Sequence, residues 1–417
     1  MPTRRLFLKG SGLAFFGIGA APGMLVRAAA AADGAKRRRT LVVVLQRGAA
    51  DALNTVVPHG ERAYYDARRS IAVAEPRRSG AQSVLDLDGH FGLHPSLEPL
   101  LPLYRDGRLA VVHAIGSPDP TRSHFDAQDF LESGTPGRKA TEDGWLSRHL
   151  QAEGDSASPL RAVAIAPVLP RSLQGKAPAV AMTSVRDFGL HAPSGSVVAR
   201  GFEGMYAAAV KDVLHATGQE AFDAMDALRA ADLQRMPDGP DVRNPRGPLG
   251  LASGLQQVAE LVKADLGLEV AFLETSGWDH HAAEGGATGQ LANRLRDFGS
   301  SLAGFYRELG SRGDDVVVVT LTEFGRTVRE NGNRGTDHGH GSVAFVLGGS
   351  VRGGRVHGRW PGLAPSQLYE GRDLAVTTDF RDLLGELLAR HLGATDLRSV
   401  FPGHPCDPRS FPGVMKA

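Results

Sequence analysis

Six apolar runs recur along the chain, at residues 40–45, 109–115, 161–166, 268–273, 315–321 and 343–347. They lack the polar alternation of a strand with one wet face, and unbroken runs of this length predict strands covered on both sides. Between them the period changes to that of a helix. Leu97, Leu100, Leu101 and Tyr104 share a face over 95–105, and Leu291, Leu295, Phe298, Leu302 and Phe305 share one over 289–309. A further helix is expected over 124–132, and a closing one over 379–392 carries Leu383, Leu384, Leu387 and Leu388. Strands alternating with helices predict an α/β fold built on a doubly wound, mostly parallel sheet flanked by helices. Residues 186–265 read as mainly helical, broken by a Pro- and Gly-rich loop at 236–250, and are expected to form an insertion or cap.

The first residues carry a different pattern. Thr3-Arg4-Arg5-Leu6-Phe7-Leu8-Lys9 fits the twin-arginine export signature, and a weakly apolar stretch runs from Gly10 to Val26 before Arg27 and the alanines 28–32. That order is the one of a signal peptide, so residues 1–32 are expected to be cleaved and 33–417 to form the mature α/β domain. Gly12, Gly17, Gly19, Pro22 and Gly23 interrupt the apolar stretch, which argues against a stable membrane span. The expectation is a periplasmic or extracellular protein whose first partner is the twin-arginine export machinery.

Composition narrows the class. Lys and Arg number 47 against 46 Asp and Glu, a formal charge of +1, so no general basic field exists to bind nucleic acid. Cys406 is the only cysteine, which excludes an intramolecular disulfide. It lies in a Pro-, Gly- and Asp-rich tail, where a surface position is expected.

The chemistry concentrates in loops beside the strand-like runs. Asp279-His280-His281, Thr322-Glu323-Phe-Gly-Arg326 and Asp337-His338-Gly-His340 bring hard carboxylates and borderline imidazoles together, the donor set of a divalent-metal hydrolase. Asp51 follows the first strand and Ser123 opens a helix after the second. In open α/β sheets function collects at the carboxyl ends of strands, and these residues share that address. Ser123 has two readings: a nucleophile stabilised by helix amides and flanked by Arg122 as an anion clamp, or a helix cap. Thr121 is a weaker substitute. His94, His113 and His124 border apolar residues and are expected to be hydrogen-bonded structural histidines. Arg326 either pairs with Glu323 or holds substrate, and Trp145 and Trp278 are expected to pack beneath the site loops.

Gln46-Arg-Gly-Ala-Ala-Asp51-Ala-Leu-Asn, Pro118-Asp-Pro-Thr-Arg-Ser-His-Phe-Asp126, Gly277-Trp-Asp-His-His281, Thr322-Glu-Phe-Gly-Arg326 and Gly335-Thr-Asp-His-Gly-His340 together resemble the exported domain-of-unknown-function 1501 family. Ala49 stands where that family usually has a second Gly, and His280 where it usually has Thr or Ser. The family is grouped with the alkaline phosphatase and sulfatase superfamily. The grouping implies an alkaline phosphatase-like fold and a two-metal site. By that resemblance Asp51 is the first-strand ligand, and Asp279 with His281 forms the loop that holds one metal. Glu323-Phe324 replaces the Asp-His pair usual after a strand, with Asp337, His338 and His340 close behind. The formylglycine type of sulfatase needs Cys or Ser two places before the Pro of Pro-x-Arg, and Pro118 stands there instead.

The expectation is an exported metal-dependent hydrolase of phosphate, sulfate or related esters on a small molecule or glycan. Its ligand pool is Asp51, Asp279, His281, Glu323, Asp337, His338 and His340, and its cofactor is one or two divalent ions, with zinc, manganese, magnesium and calcium left open. Ser123 and Arg122 are the catalytic candidates. The alternative is a non-catalytic envelope protein that keeps the fold for binding or assembly.

Overall fold

The computed structural model describes residues 38–416 apart from 78–81, 140, 155, 157, 187, 189–220, 222, 229, 232 and 234–249. The expected signal peptide and most of the expected helical insertion lie outside the described residues.

One mixed sheet organises the chain. Its strands are β1 (Thr40–Gln46), β2 (Leu109–Gly116), β3 (Ala162–Ile165), β4 (Val180–Met182), β5 (Val270–Thr275), β6 (Val316–Leu321), β7 (Ser342–Gly348), β8 (Val356–His357) and β9 (Thr378–Asp379). The order across the sheet is β8-β2-β7-β6-β1-β5-β3-β4, with β9 also pairing β2. All pairings are parallel except those of β7, which runs against both β2 and β6. A smaller antiparallel sheet joins Val56–Val57, Gly92–Leu93 and Leu85–Asp86. The fold is α/β, mostly parallel, with helices on both faces.

The sequence of β1 shows why its apolar run has no polar gaps. Val42 and Val44 point into the core beneath α3 (Leu251–Lys263) and α4 (Gln290–Leu309), with Leu255, Val258, Leu295 and Phe298. Leu41, Val43 and Leu45 point the other way, toward α2 (Trp145–Ala152) and α5 (Phe380–Leu387), with Leu146, Leu150, Leu383 and Leu387. A strand with two apolar neighbours layers must be apolar at every position. Each such side chain contributes roughly 1.5–3 kcal/mol relative to exposure.

Several expectations change in detail. Residues 95–105 form a 3-10 segment, Pro95–Leu100, before a short α-turn, Leu101–Arg105, because Pro99 and Pro102 lack the amide hydrogens a regular helix needs. The closing helix is α through Leu387 and continues as a π-helical turn, Leu388–Leu392. Cys406 is buried rather than on the surface, packed with Trp145 and Phe401 in the second core, and burial pushes its thiol up to about 11. No helix among the described residues is long and apolar enough to cross a membrane.

The reversal of β7 matters most for the candidate site. The carboxyl ends of β1, β2, β5 and β6 share one edge of the sheet. Because Ser342 of β7 pairs with Ile115 near the end of β2, the amino end of β7 lies on that same edge. Asp337, His338 and His340 therefore reach it from a strand's entrance, not its exit.

Candidate metal centre

The segment between β2 and helix α1 (His124–Ser133) is a string of small polar residues and prolines, Ser117-Pro-Asp-Pro-Thr-Arg-Ser123. Prolines cannot donate, so every second residue offers a side-chain oxygen to the amide two places on. Ser117 Oγ accepts from Asp119 N at 3.1 Å, Asp119 Oδ1 from Thr121 N at 2.9 Å, and Thr121 Oγ1 from Ser123 N at 3.2 Å. These successive turns fix the chain and deliver Ser123 as the N-cap of α1, its hydroxyl accepting from Asp126 N at 3.5 Å. Both Ser123 and Thr121 are used for backbone shape. The residue they aim is His124.

His124 meets residues from two other loops. One Nε2 or carboxylate oxygen from each of His124, Asp279 and His338 lies within 4.8 Å of the others. Asp279 Oδ2 is 3.4 Å from His124 Nε2, and Asp279 Oδ1 is 3.4 Å from His338 Nε2 and 3.0 Å from His281 Nε2. His281 Nε2 is also 3.0 Å from His338 Nε2.

The outer nitrogens explain the inner ones. His124 Nδ1 lies 2.8 Å from Glu323 Oε1, His281 Nδ1 lies 3.1 Å from Asp337 Oδ1, and His338 Nδ1 lies 2.8 Å from the Arg122 carbonyl. Each partner is an acceptor, so each Nδ1 donates to it and each ring turns Nε2 inward. His281 Nε2 and His338 Nε2 face each other at 3.0 Å, a spacing that a proton or a cation shared between them accounts for. Burial lowers the pKa of His338. His124 Nε2 is buried with no hydrogen-bond partner among the described residues. With metal–nitrogen bonds of about 2.1 Å, adjacent donors of an octahedral ion stand about 3.0 Å apart and those of a tetrahedral ion about 3.4 Å. The observed spacings of 3.0–3.4 Å fall in that range. His124, Asp279 and His338 fit a divalent ion, with His281 beside them.

Charges around the group are set by buried partners. Burial works to raise the Asp279 carboxyl, but the Arg326 guanidinium beside it, with His281 and His124, holds it below the usual carboxylate range. Burial likewise opposes ionisation of Glu323, and hydrogen bonds from His124, Gln128 and the Gly48 amide bring it to about 2. The hydrogen bond to Glu323 raises the pKa of His124. Asp337 is lowered chiefly by the Asn331 amide at 3.0 Å. Arg326 has a fully buried side chain and binds the carbonyls of Ala49, Thr336 and Gly48 as well as Asp279, so it staples three loops together.

Two glycines let those loops meet. Gly48 has φ +118, and a Cβ there would sit 2.8 Å from the Asp279 amide nitrogen. A side chain on Gly325 would strike the Gly341 carbonyl. Ala49 adopts φ +59, a left-handed conformation that costs a non-glycine residue about 1–2 kcal/mol.

A family model described as a protein of unknown function (DUF1501) matches residues 38–402. The chain belongs to that family. No curated protein matches the chain. In this DUF1501 chain the seven expected ligands separate into three groups. Asp279, His281 and His338 converge with their metal-binding atoms. Glu323 and Asp337 stand one layer out, orienting His124 and His281. Asp51 and His340 are apart from the group. The Asp51 carboxylate, 2 % exposed, forms a bidentate pair with the fully buried Arg68 and caps the turn Ala52–Thr55. His340 stacks on Tyr369 with ring centroids 4.4 Å apart.

His124 is the residue that sequence reasoning placed elsewhere. Its signal was its position beside Ser123 at the helix start, on the edge where the other histidines gather. His94 and His113 are structural, bonded to the carbonyls of Gly286 and Val56. Arg326 pairs with Asp279, not Glu323. Trp278 packs edge-on against Phe298 beneath the site, and Trp145 stacks on Phe401 in the opposite core. Arg122 binds Asp373 and Glu370.

Proposed function

We propose that this chain is an exported metal-dependent hydrolase of phosphate, sulfate or related esters, with an alkaline phosphatase-like fold. One observation carries the reading: three imidazoles tied at Nδ1 to oxygen acceptors turn Nε2 toward Asp279. Carboxylate–histidine–metal relays are built this way, the outer acceptor fixing the ring and raising its basicity. Three nitrogens and one carboxylate suit zinc or a neighbouring transition ion better than magnesium or calcium, which prefer oxygen.

A divalent ion held by His124, Asp279, His281 and His338 would lower the pKa of a water and neutralise charge on the ester oxygens. Around it, Glu323 keeps His124 oriented, Asp337 does the same for His281, and Arg326 keeps Asp279 ionised. Arg372 donates to the His338 carbonyl, which brings a guanidinium to the segment where an anionic group is to be stabilised. Ser123, occupied as a cap, supports water rather than a side-chain hydroxyl as nucleophile. The Arg4-Arg5 leader supports export to the periplasm or beyond.

Ser123's capping role also favours the second reading, a binding or assembly protein that keeps the site. Metal analysis of natively exported protein, joined to an ester-hydrolysis panel, separates the two. The enzyme predicts stoichiometric metal and turnover that both vanish in His124→Ala. Stoichiometric metal without turnover on any phosphate or sulfate ester supports the second reading, and metal-free folded protein defeats the hydrolase.

A further inference from the structure

Arg122 is held by two carboxylates of unlike character. Asp373 is fully buried, and its Oδ2 accepts from Arg122 Nε at 3.1 Å and Nη2 at 2.7 Å. That pairing positions the guanidinium. Glu370 is different: its side chain is 54 % exposed, and its Oε2 accepts from Arg122 Nη2 at 2.6 Å. Glu370 has φ +51, a left-handed backbone that disfavours any residue with a side chain, so the turn is strained where it presents this carboxylate. Arg122 Nη1 makes no hydrogen bond among the described residues. The same arginine's carbonyl orients His338, and Arg372 donates to the His338 carbonyl. With Glu370 in place, two guanidiniums face two carboxylates, Asp373 and Glu370. Without it, one positive charge is left over beside the metal-ligand segment.

We propose that Glu370 is a displaceable internal anion, occupying through Arg122 a subsite for a tetrahedral oxyanion, and that anionic substrate enters by taking its place. A planar guanidinium suits two oxygens of a phosphate or sulfate, and a solvent-exposed carboxylate on a strained turn gives way at small cost. This rests on the proposed function in taking the substrate as an anionic ester, and it adds a gate that discriminates by charge. A metal would be held by other side chains, so the two ideas fail separately.

The test uses the mature chain, titrated with inorganic phosphate in both metal-loaded and chelator-stripped form. Glu370→Gln is expected to bind phosphate about tenfold more tightly in either form, and the double variant with Arg122→Lys is expected to lose the gain. Glu370→Gly, which relieves the left-handed strain while removing the charge, is expected to match Glu370→Gln and guards against a folding defect in the first variant. Unchanged or weaker phosphate binding in both Glu370 variants overturns the gate. So does a gain that survives Arg122→Lys. Metal content is measured in parallel: its absence in the parent chain would defeat the metal reading, while the stripped-form titration would still decide the gate.

Discussion

Glu323 and His124 stand 199 residues apart in the chain, yet Glu323 Oε1 lies 2.8 Å from His124 Nδ1. The contact joins the exit of β6 to the start of α1 and decides which ring nitrogen of His124 faces inward. Glu323→Gln keeps the shape and replaces a carboxylate acceptor by a weaker amide. Metal affinity is expected to fall about ten- to hundredfold, the usual cost of losing an outer partner. Competition with a chelator of known affinity measures it. Unaltered affinity would remove Glu323 from the centre.

Ligands and scaffold separate under alanine substitution. His124→Ala and His338→Ala are expected to release metal, and with it the stabilisation that a ligand bound only to the folded state supplies. Ser123→Ala is expected to retain metal and turnover and to cost no more than about 1 kcal/mol, since its cap bond is long at 3.5 Å. Thermal melts with and without added metal read both effects. Complete loss of turnover in metal-loaded Ser123→Ala would restore the hydroxyl as nucleophile.

Asp51 tests the boundary of the site from the other side. Asp51→Asn weakens its buried pair with Arg68, whose guanidinium also binds Asn54 and the carbonyls of Thr327 and Val328. Breaking a buried pair costs about 3–5 kcal/mol, so denaturant midpoints are expected to drop sharply. Metal per folded molecule is expected to stay the same. Folded Asp51→Asn lacking metal would make Asp51 a ligand after all.

Acid is expected to unfold the protein through its buried histidines. Burial lowers His94, His113, His280 and His391 each to about 4 from an ordinary 6.5. The unfolded chain therefore binds more protons between these values, and stability present above pH 6.5 is lost as the pH falls toward 4. Denaturation at a series of pH values should show this slope, and His113→Gln should flatten it. A stability independent of pH from 6.5 to 4 would contradict the neutral, buried state assigned to these rings.

The proposal of export rests on residues outside the described ones. Changing Arg4 and Arg5 to Lys is expected to leave unprocessed precursor in the cytoplasm, which fractionation and immunoblotting detect. Normal amounts of processed protein outside would end the twin-arginine assignment.

The large sheet was legible because doubly buried strands write themselves as unbroken apolar runs. Short edge pieces such as Val356–His357 and Thr378–Asp379 were not, since two residues carry no period. The direction of β7 was equally hidden: an apolar run reads the same in either sense. Loop histidines and acids drew attention to Asp279, His281 and His338 by type. Type alone could not tell them from Asp51 or His340, because the difference lies in partners from distant segments: Arg68 for one, Tyr369 for the other. His124 was set aside for its apolar neighbour Phe125, although a helix start was expected there; Phe125 is 89 % exposed and belongs to no core.

The antiparallel course of β7 has a consequence for how such a centre could change. Residues 322–341 leave the sheet and rejoin it along one border, so they form an out-and-back excursion instead of a crossover. A crossover helix must match the breadth of the face it spans. This excursion has no such span to match, and it carries Glu323, Arg326, Asp337 and His338 together. It is a cartridge stapled to its neighbours by Arg326: one contiguous stretch carries one proposed ligand and the partners of two others, while the strands beneath keep their register.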